Sequence, residues 1–141
     1  MVDRRGASGA SGDLGRLVLR LTIGGLILMH GIAKLGGNVD SIAAMLGKAG
    51  LPSALAYGVY LGEVLAPALL IAGLWTRAAA LVVVINMVFA VGLVHMRDLG
   101  AFTRTGGWAL ETQALFLFGA LAIVLLGAGR YGLGGANGRW N

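Results

Sequence analysis

The sequence predicts an all-α fold: an integral membrane four-helix bundle with a short amphipathic helix in the connector between its first two spans. Of its 141 residues, 57% are hydrophobic and only 12% are charged, whereas a soluble domain carries roughly 25% charged residues. The apolar residues fall into four long stretches, each close to the ~20 residues that cross a bilayer as a helix. The 25 glycines suit helices that pack closely in a membrane. No cysteine is present, which excludes disulfides and thiol redox chemistry.

The first span and its flanks follow from local composition. Residues 1–13 are small, polar and rich in glycine, so we expect a disordered cytoplasmic tail there. The first span is predicted over residues 14–35. Because no small-residue cleavage site follows a short apolar core, we interpret this span as a retained helix and not as a signal peptide. In the connector, Asp40 can cap the short helix, which ends before a turn at residues 50–52.

The later spans complete a single membrane domain over residues 14–126. They are predicted over residues 54–74, 78–96 and 108–126. Pro67 lies inside the second span, where a proline removes a backbone donor and kinks the helix. Residues 127–141 are again rich in glycine and are expected to form a second cytoplasmic tail.

The basic residues set the predicted orientation in the membrane. With four spans, the two tails and the turn between the second and third spans share one side. That side holds Arg4, Arg5, Arg16, Arg20, Arg77, Arg130 and Arg139, and the other holds Lys34, Lys48, Arg97 and Arg104. An excess of basic residues marks the cytoplasmic side. Both termini are therefore predicted to be cytoplasmic, in a bacterial inner membrane, and the net charge of +5 needs no nucleic acid to explain it.

Glu63 is the most costly residue of the chain, because it lies roughly 13 Å into the second span. Tyr60 shares its face and is a further candidate for binding a ligand. On the first helix, His30 and Lys34 lie one turn apart on one face. A carboxylate at such a depth is protonated, is paired with a cation, or lines a wet cavity. Two interpretations stay open: a buried ion pair that orders the bundle, and a carboxylate that exchanges protons or binds a ligand.

Other polar residues of the spans receive structural interpretations. Arg16 and Arg20 are interpreted as anchors at the cytoplasmic end, whose side chains snorkel to the interface. Asn86 lies about 180° round its helix from His95, so the two are not expected to address one site directly. We interpret Asn86 as a residue that forms a hydrogen bond between helices.

The remaining ionisable residues point to one outward-facing pocket. His95 ends the third span, and Glu111 opens the fourth, where the helix dipole also favours a carboxylate. A four-helix bundle can bring both toward His30, Lys34 and Glu63. Two imidazoles and two carboxylates suit zinc, iron or manganese, but no HxxxH or ExxH spacing concentrates such ligands on one helix, and we assign no metal. The same groups suit a quinone headgroup, whose carbonyls need hydrogen-bond donors and a source of protons.

Several segments carry a resemblance to a known family. They are LRLTIGGLILMHGIAKLGG (19–37), AGLP (49–52), GEVLAPALLIAGLWTRAAAL (62–81), the position of His95, and GGWALETQALFLFGALAIVLLGAGRYGL (106–133). In this order and spacing they resemble the DoxX family of small four-span membrane proteins. The resemblance implies a membrane protein of a kind often grouped with quinone-linked oxidoreductases, such as thiosulfate:quinone oxidoreductase, and with oxidative-stress complexes. The characteristic positions of the family are matched at His30, Lys34, Glu63, Arg77, His95 and Glu111.

Three functions follow as hypotheses. In the first, the protein is a membrane subunit of a quinone-linked redox system, an oxidoreductase subunit. His30 and Glu63 would then exchange protons, while Lys34, His95 and Glu111 hold the ligand near the outer face. In the second, it is a non-enzymatic anchor or scaffold that recruits a membrane or periplasmic redox or stress-response partner. In the third, it is a small transporter or a metal-binding membrane protein.

Quinone is the one cofactor that these hypotheses include. The sequence has no glycine fingerprint for dinucleotides or flavin and no pair of histidines on one helix face for haem. The lipid bilayer is the expected environment. Gly58 and Gly62 form, with Ala66, a ridge of small residues that favours close helix packing or a homo-oligomer contact.

Overall fold

Five helices, labelled α1 to α5, form a bundle in the computed structural model, which describes residues 4–37, 39–135 and 137–141, with side chains from residue 9 onward. The all-α prediction is confirmed. The first two helices are α1 (Arg4–Lys34) and α2 (Val39–Lys48). Helix α3 comprises a 3-10 turn, an α-helical turn, a π turn and an α-helix, in the order Ser53–Tyr57, Gly58–Tyr60, Leu61–Leu65 and Ala66–Ala72. Helix α4 likewise comprises an α-helix, a π turn and a 3-10 turn, namely Thr76–Ala90, Val91–His95 and Met96–Asp98. The last helix is α5 (Glu111–Leu126).

Three of these helices are long and apolar enough to cross a membrane. They cover Gly9–Lys34, Ser53–Ala72 and Thr76–Val94. Helix α5 is apolar but has 16 residues, which at 1.5 Å per residue gives about 24 Å. That is less than the ~30 Å of a typical hydrocarbon core.

The last helix starts later than residue 108, where the sequence predicts it. Trp108 forms an isolated antiparallel bridge with Phe102, and its indole nitrogen donates to the carbonyl of Leu99 at 2.9 Å. These contacts hold Trp108 in the loop before the helix. Helix α5 therefore begins three residues further on, at Glu111.

The two ends of the chain also differ from the expectation of two tails. Helix α1 begins at Arg4, so residues 4–13 are helical in the structure, while residues 1–3 lie outside the described part. Extending an existing helix needs no new nucleus, which is the costly step of helix formation. Asp13 pairs with Arg16 at 2.7 Å and approaches Arg130 of the C-terminal segment at 3.8 Å.

The C-terminal segment is folded against the turn between α3 and α4. The main-chain nitrogen of Leu133 donates to the carbonyl of Ala72 at 3.1 Å. The buried side chain of Asn141 accepts a hydrogen bond from the Thr76 hydroxyl at 2.9 Å. Because the same segment contacts Asp13, the start of α1 and the end of α5 lie at one end of the bundle.

Arg20 corrects the prediction of a snorkelling anchor. It is 0% exposed, and its guanidinium donates to the carbonyls of Leu70 at 2.7 Å and Tyr131 at 3.2 Å. The last carbonyls of a helix have no partner within that helix, so a buried arginine can satisfy them. Gly73 makes room for it, since a Cβ there would overlap the guanidinium. Arg20 thus joins α1, the end of α3 and the C-terminal segment.

The core of the bundle lies where α1 and α4 each pack against both α3 and α5. Its larger buried side chains are Ile23, Ile27, Leu70, Val83, Phe116 and Ile123. Two glycines of α1 allow close contact with α3. A Cβ on Gly24 would lie 3.0 Å from the carbonyl oxygen of Pro67, and one on Gly31 would overlap the carbonyl of Glu63. The helix carrying Lys34 is therefore held directly against the turn carrying Glu63.

Candidate functional site

The site is built where α3 and α4 each contain a π turn. Glu63 lies within the π turn Leu61–Leu65, and His95 ends the π turn Val91–His95. A π turn contains one more residue than an α-helical turn and is often found at functional sites. Pro67 follows the first of these turns and has no N–H for the carbonyl of Glu63, four residues earlier. Both turns rotate the residues that follow them relative to a regular helix.

The carboxylate of Glu63 joins three helices. Glu63 is 4% exposed. Its Oε1 atom accepts a hydrogen bond from Nζ of Lys34 on α1 at 2.6 Å and another from Nδ2 of Asn86 on α4 at 3.3 Å. Its Oε2 atom is buried, and no described residue donates to it. The ion pair with Lys34, one of the two interpretations open from the sequence, is therefore present, and one carboxylate oxygen remains without a donor.

Asn86 belongs to this site, contrary to its exclusion on sequence grounds. Its interhelical hydrogen bond is confirmed, and the partner is Glu63. In a regular helix, nine residues separate Asn86 and His95 by about 180°. The extra residue of the π turn reduces this separation to about 80°, and both side chains line one cavity. Gly62 makes room for Asn86, since a Cβ on Gly62 would lie 2.5 Å from Cγ of Asn86.

His95 links α4 to α5. Its Nδ1 atom lies 3.0 Å from Oδ2 of Asp98, and its Nε2 atom lies 3.3 Å from Nε2 of Gln113. With the Gln113 amide donating to Nε2, the ring proton lies on Nδ1 and is donated to Asp98. In this arrangement Oε1 of Gln113 is buried, and no described residue donates to it.

Two cavities meet at these residues. The larger, of about 730 Å³, lies among α2, α3 and α4, and the smaller, of about 200 Å³, lies among α1, α4 and α5. Both are lined by Lys34, Glu63, Ala90 and His95. Apart from Ser41, the rest of the larger cavity is lined by apolar side chains, glycines and Asn86. It has an apolar body and one polar end, formed by Lys34, Glu63, Asn86 and His95.

The larger cavity opens toward the side of the bundle. Several of its apolar wall residues are about half exposed, namely Leu55, Leu61, Ile85, Phe89 and Val94. In a membrane, side chains exposed on apolar spans face lipid. The apolar body of the larger cavity is therefore bordered by lipid-facing side chains.

His30 lies in the smaller cavity. It is exposed and lines the cavity together with Thr112 and Gln113. Its ring meets Phe116 edge-on, with a centroid distance of 5.8 Å. The predicted site residues His30, Lys34, Glu63 and His95 are therefore brought together around two adjoining cavities.

Glu111 and Tyr60 are not brought to the cavities. The exposed side chain of Glu111 accepts a hydrogen bond from the main-chain nitrogen of Trp108 at 3.0 Å and so holds the loop that precedes α5. Glu111 is the first residue of α5, where the helix dipole also favours a carboxylate. The ring of Tyr60 lies 6.3 Å from that of Tyr57 and packs against the apolar cluster under α2.

The structure also bears on the possible metal site and on the ridge of small residues at Gly58 and Gly62. The described residues contain no group of three or more His, Cys, Asp or Glu side chains that could hold a metal ion. Gly62 is buried against Asn86 within the chain, while Gly58 faces open space in the wall of the larger cavity. The ridge of small residues is thus used inside the chain at Gly62.

The long apolar helices around a polar interior define a multi-pass helical membrane protein. Residues 15–96 match the DoxX family, and the chain belongs to this family. A protein of Haemophilus influenzae that is named only as uncharacterized is 32% identical over 115 residues, or 79% of this chain and 81% of the relative. No solved structure matches the chain significantly. The family match spans every residue that lines the larger cavity.

Proposed function

We propose that the protein is a small membrane subunit of a quinone-linked redox system and that the larger cavity binds the quinone. The observation that carries this proposal is the cavity's division into an apolar body open to the side of the bundle and one polar end. Its volume of about 730 Å³ lies within the roughly 300–1,000 Å³ of small-molecule sites. An isoprenoid tail suits the apolar body, and a headgroup suits the polar end.

The chemistry of the polar end fits a quinone, whose two carbonyl oxygens accept hydrogen bonds. When bound, a quinone supplies the capacity to take up two electrons and two protons. Lys34 has three N–H groups, of which one is used by Oε1 of Glu63. Glu63, which also accepts a hydrogen bond from Asn86, holds the ammonium at the cavity end, so the other protons of the ammonium are available to a carbonyl oxygen. Hydrogen bonds to a charged donor are stronger than those to a neutral one.

The binding proposal is tested with the protein in lipid nanodiscs. A short-chain ubiquinone analogue is titrated into the protein by calorimetry, and quinone carried through purification is extracted and identified. Lys34→Met should weaken binding by about tenfold or more, because a charge-assisted hydrogen bond is lost. Lys48→Met is the matched control, since Lys48 is exposed at the end of α2 and outside both cavities. Washed wild-type protein that contains no quinone and does not bind the analogue would overturn the proposal.

One observation favours a second candidate function, a non-enzymatic anchor that recruits a membrane or periplasmic partner. The direct contact of Lys34 with Glu63 at 2.6 Å is what a purely structural ion pair requires. For such an anchor, Glu63→Gln lowers the melting temperature, and the remaining folded protein still recruits its partner. A quinone analogue would then leave the melting temperature of the wild-type protein unchanged.

We also propose a bacterial inner membrane with both termini in the cytoplasm. The start of α1 and the C-terminal segment lie together at one end of the bundle. The cavities lie toward the other end, where α1 finishes at Lys34. Fluorescent protein fused to either terminus should fold and emit, whereas alkaline phosphatase fused there should be inactive. Phosphatase activity at both termini would reverse the orientation.

A further inference from the structure

The wall between the two cavities consists mainly of ionisable side chains. Lys34, Glu63 and His95 line both cavities, and Ala90 is the fourth shared residue. A side chain of this wall that takes up a proton from one cavity therefore also borders the other cavity. The cavities differ in character. The larger is mostly apolar, whereas the smaller adds His30, Thr112 and Gln113 to the shared polar residues.

Two buried oxygen atoms belong to residues that line the smaller cavity and receive no hydrogen bond from the described residues. They are Oε2 of Glu63 and Oε1 of Gln113. A buried acceptor without a donor costs about 1–3 kcal/mol, and water is the usual remedy where a polar cavity adjoins it. A volume of about 200 Å³ has room for on the order of six water molecules at ~30 Å³ each.

We propose that the smaller cavity is the proton access path of Glu63 and is separate from the ligand cavity. It runs to the carboxylate from His30 and Thr112, which are exposed at the end of the bundle where α1 finishes and α5 begins, next to the aqueous phase. This inference rests on the proposed function, because the molecule that finally accepts the proton is the ligand of the larger cavity. The ligand would enter from the lipid on one side of the wall, and the proton from water on the other.

Proton uptake by Glu63 needs no electron donor. A hydronium ion in the smaller cavity gives its proton to Oε2 and leaves water, and the carboxylate becomes a carboxylic acid. Lys34 passes a proton on to an oxygen of the ligand only after an electron donor of the redox system has reduced the ligand and made that oxygen basic. The acid then restores the ammonium, and Glu63 is again a carboxylate.

The charges around Glu63 govern this uptake of a proton. Three other helices supply the groups that line the smaller cavity together with the carboxylate or donate to it. Those with ionisable or polar side chains are Lys34 and His30 on α1, Asn86 and His95 on α4, and Thr112 and Gln113 on α5. Of these, Lys34 already donates to Oε1, so we expect a proton arriving through the smaller cavity to bind Oε2, the oxygen without a donor among the described residues.

The experiment follows the protonation of Glu63 by infrared spectroscopy after a rapid fall in pH, with the protein in nanodiscs that contain no quinone. The carboxylic acid band that is absent in Glu63→Gln belongs to Glu63. Thr112→Phe places a ring in the smaller cavity, and we expect the band to rise at least about tenfold more slowly. Gly58→Phe is the matched control, because its ring enters the larger cavity. The control should leave the rate unchanged and prevent binding of the ubiquinone analogue.

Each outcome of this experiment decides the proposal. Equal rates in the wild type and Thr112→Phe would overturn it, as would a slower rate in Gly58→Phe alone. A wild-type protein without a Glu63-dependent band at any pH at which it stays folded would also overturn it. If Thr112→Phe does not fold, Thr112→Val replaces it, and a slower rate after loss of the hydroxyl supports the path. Because quinone is absent, failure of quinone binding leaves the result valid, and failure of the path leaves quinone binding open to its own test.

Discussion

Lys34 and Glu63 form an ion pair with an Nζ–Oε1 distance of 2.6 Å, between the last turn of α1 and the π turn of α3. The pair lies at the wall shared by two cavities, and Asn86 donates to the same carboxylate oxygen. The side chain of Lys34 is 30% exposed, whereas that of Glu63 is 5% exposed. The lysine therefore keeps access to a ligand while the carboxylate is held in the bundle.

Breaking this pair from either side should have unequal effects. Lys34→Met leaves a buried carboxylate without its cation, which costs about 3–5 kcal/mol when both partners are deeply buried and less here, because the lysine is partly exposed. Glu63→Gln keeps an acceptor and removes the charge, so we expect a smaller loss of about 1–3 kcal/mol. The double variant should be more stable than Lys34→Met alone. Denaturant unfolding in detergent micelles measures this cycle, and additive effects would show that the two residues do not interact.

Gly31→Ala should destabilise the bundle. The added Cβ would overlap the main-chain carbonyl of Glu63, so α1 and α3 must move apart, at a cost of about 1–3 kcal/mol. Gly25→Ala is the control, since nothing lies within 4 Å of its Cβ. Within a helix, replacing Gly by Ala raises the free energy of unfolding by about 0.5–1 kcal/mol. The control should therefore melt at the same temperature as the wild type or at a higher one. Equal melting temperatures for the two variants would contradict the close contact.

Arg20→Met should release the C-terminal segment. The guanidinium is buried and donates to Leu70 and Tyr131. Removing it takes the side-chain donor from the Tyr131 carbonyl, at about 1–3 kcal/mol, while the Leu70 carbonyl keeps its hydrogen bond from the main-chain nitrogen of Gly73. Limited proteolysis should then cut within residues 127–141 faster than in the wild type. The control is Arg16→Met, whose pair with Asp13 is partly exposed and is worth about 0–1 kcal/mol. Unchanged proteolysis in Arg20→Met would show that the arginine does not hold the segment.

The sequence alone was sufficient for the class of fold and for the meeting of His30, Lys34, Glu63 and His95. Charges inside apolar stretches are costly, so their positions indicate a shared polar interior. The role of Asn86 could not be predicted from an ideal helical wheel, because the π turn changes the rotation between it and His95.

Arg20 lies near the start of the first span predicted from sequence, which suits a snorkelling anchor. Its burial instead depends on contacts that are distant in sequence. The carbonyl of Leu70 is 50 residues away from it and that of Tyr131 is 111 residues away. No local pattern contains that information. The fold of the C-terminal segment escaped prediction for the same reason, since a glycine-rich composition is also typical of disordered tails.

The sequence predicts that Glu111 binds the ligand, whereas in the structure Glu111 holds the loop before α5. Its Oε1 atom accepts a hydrogen bond from the main-chain nitrogen of Trp108 at 3.0 Å, and loss of such a hydrogen bond typically costs about 1 kcal/mol. Glu111→Ala should therefore lower the free energy of unfolding by about 1 kcal/mol and leave the affinity for the ubiquinone analogue unchanged. Glu111→Gln keeps the acceptor and should retain most of the stability. The opposite pattern is weaker binding of the analogue with unchanged stability. It would show that Glu111 binds the ligand, as the sequence predicts, and that α5 packs closer to the larger cavity.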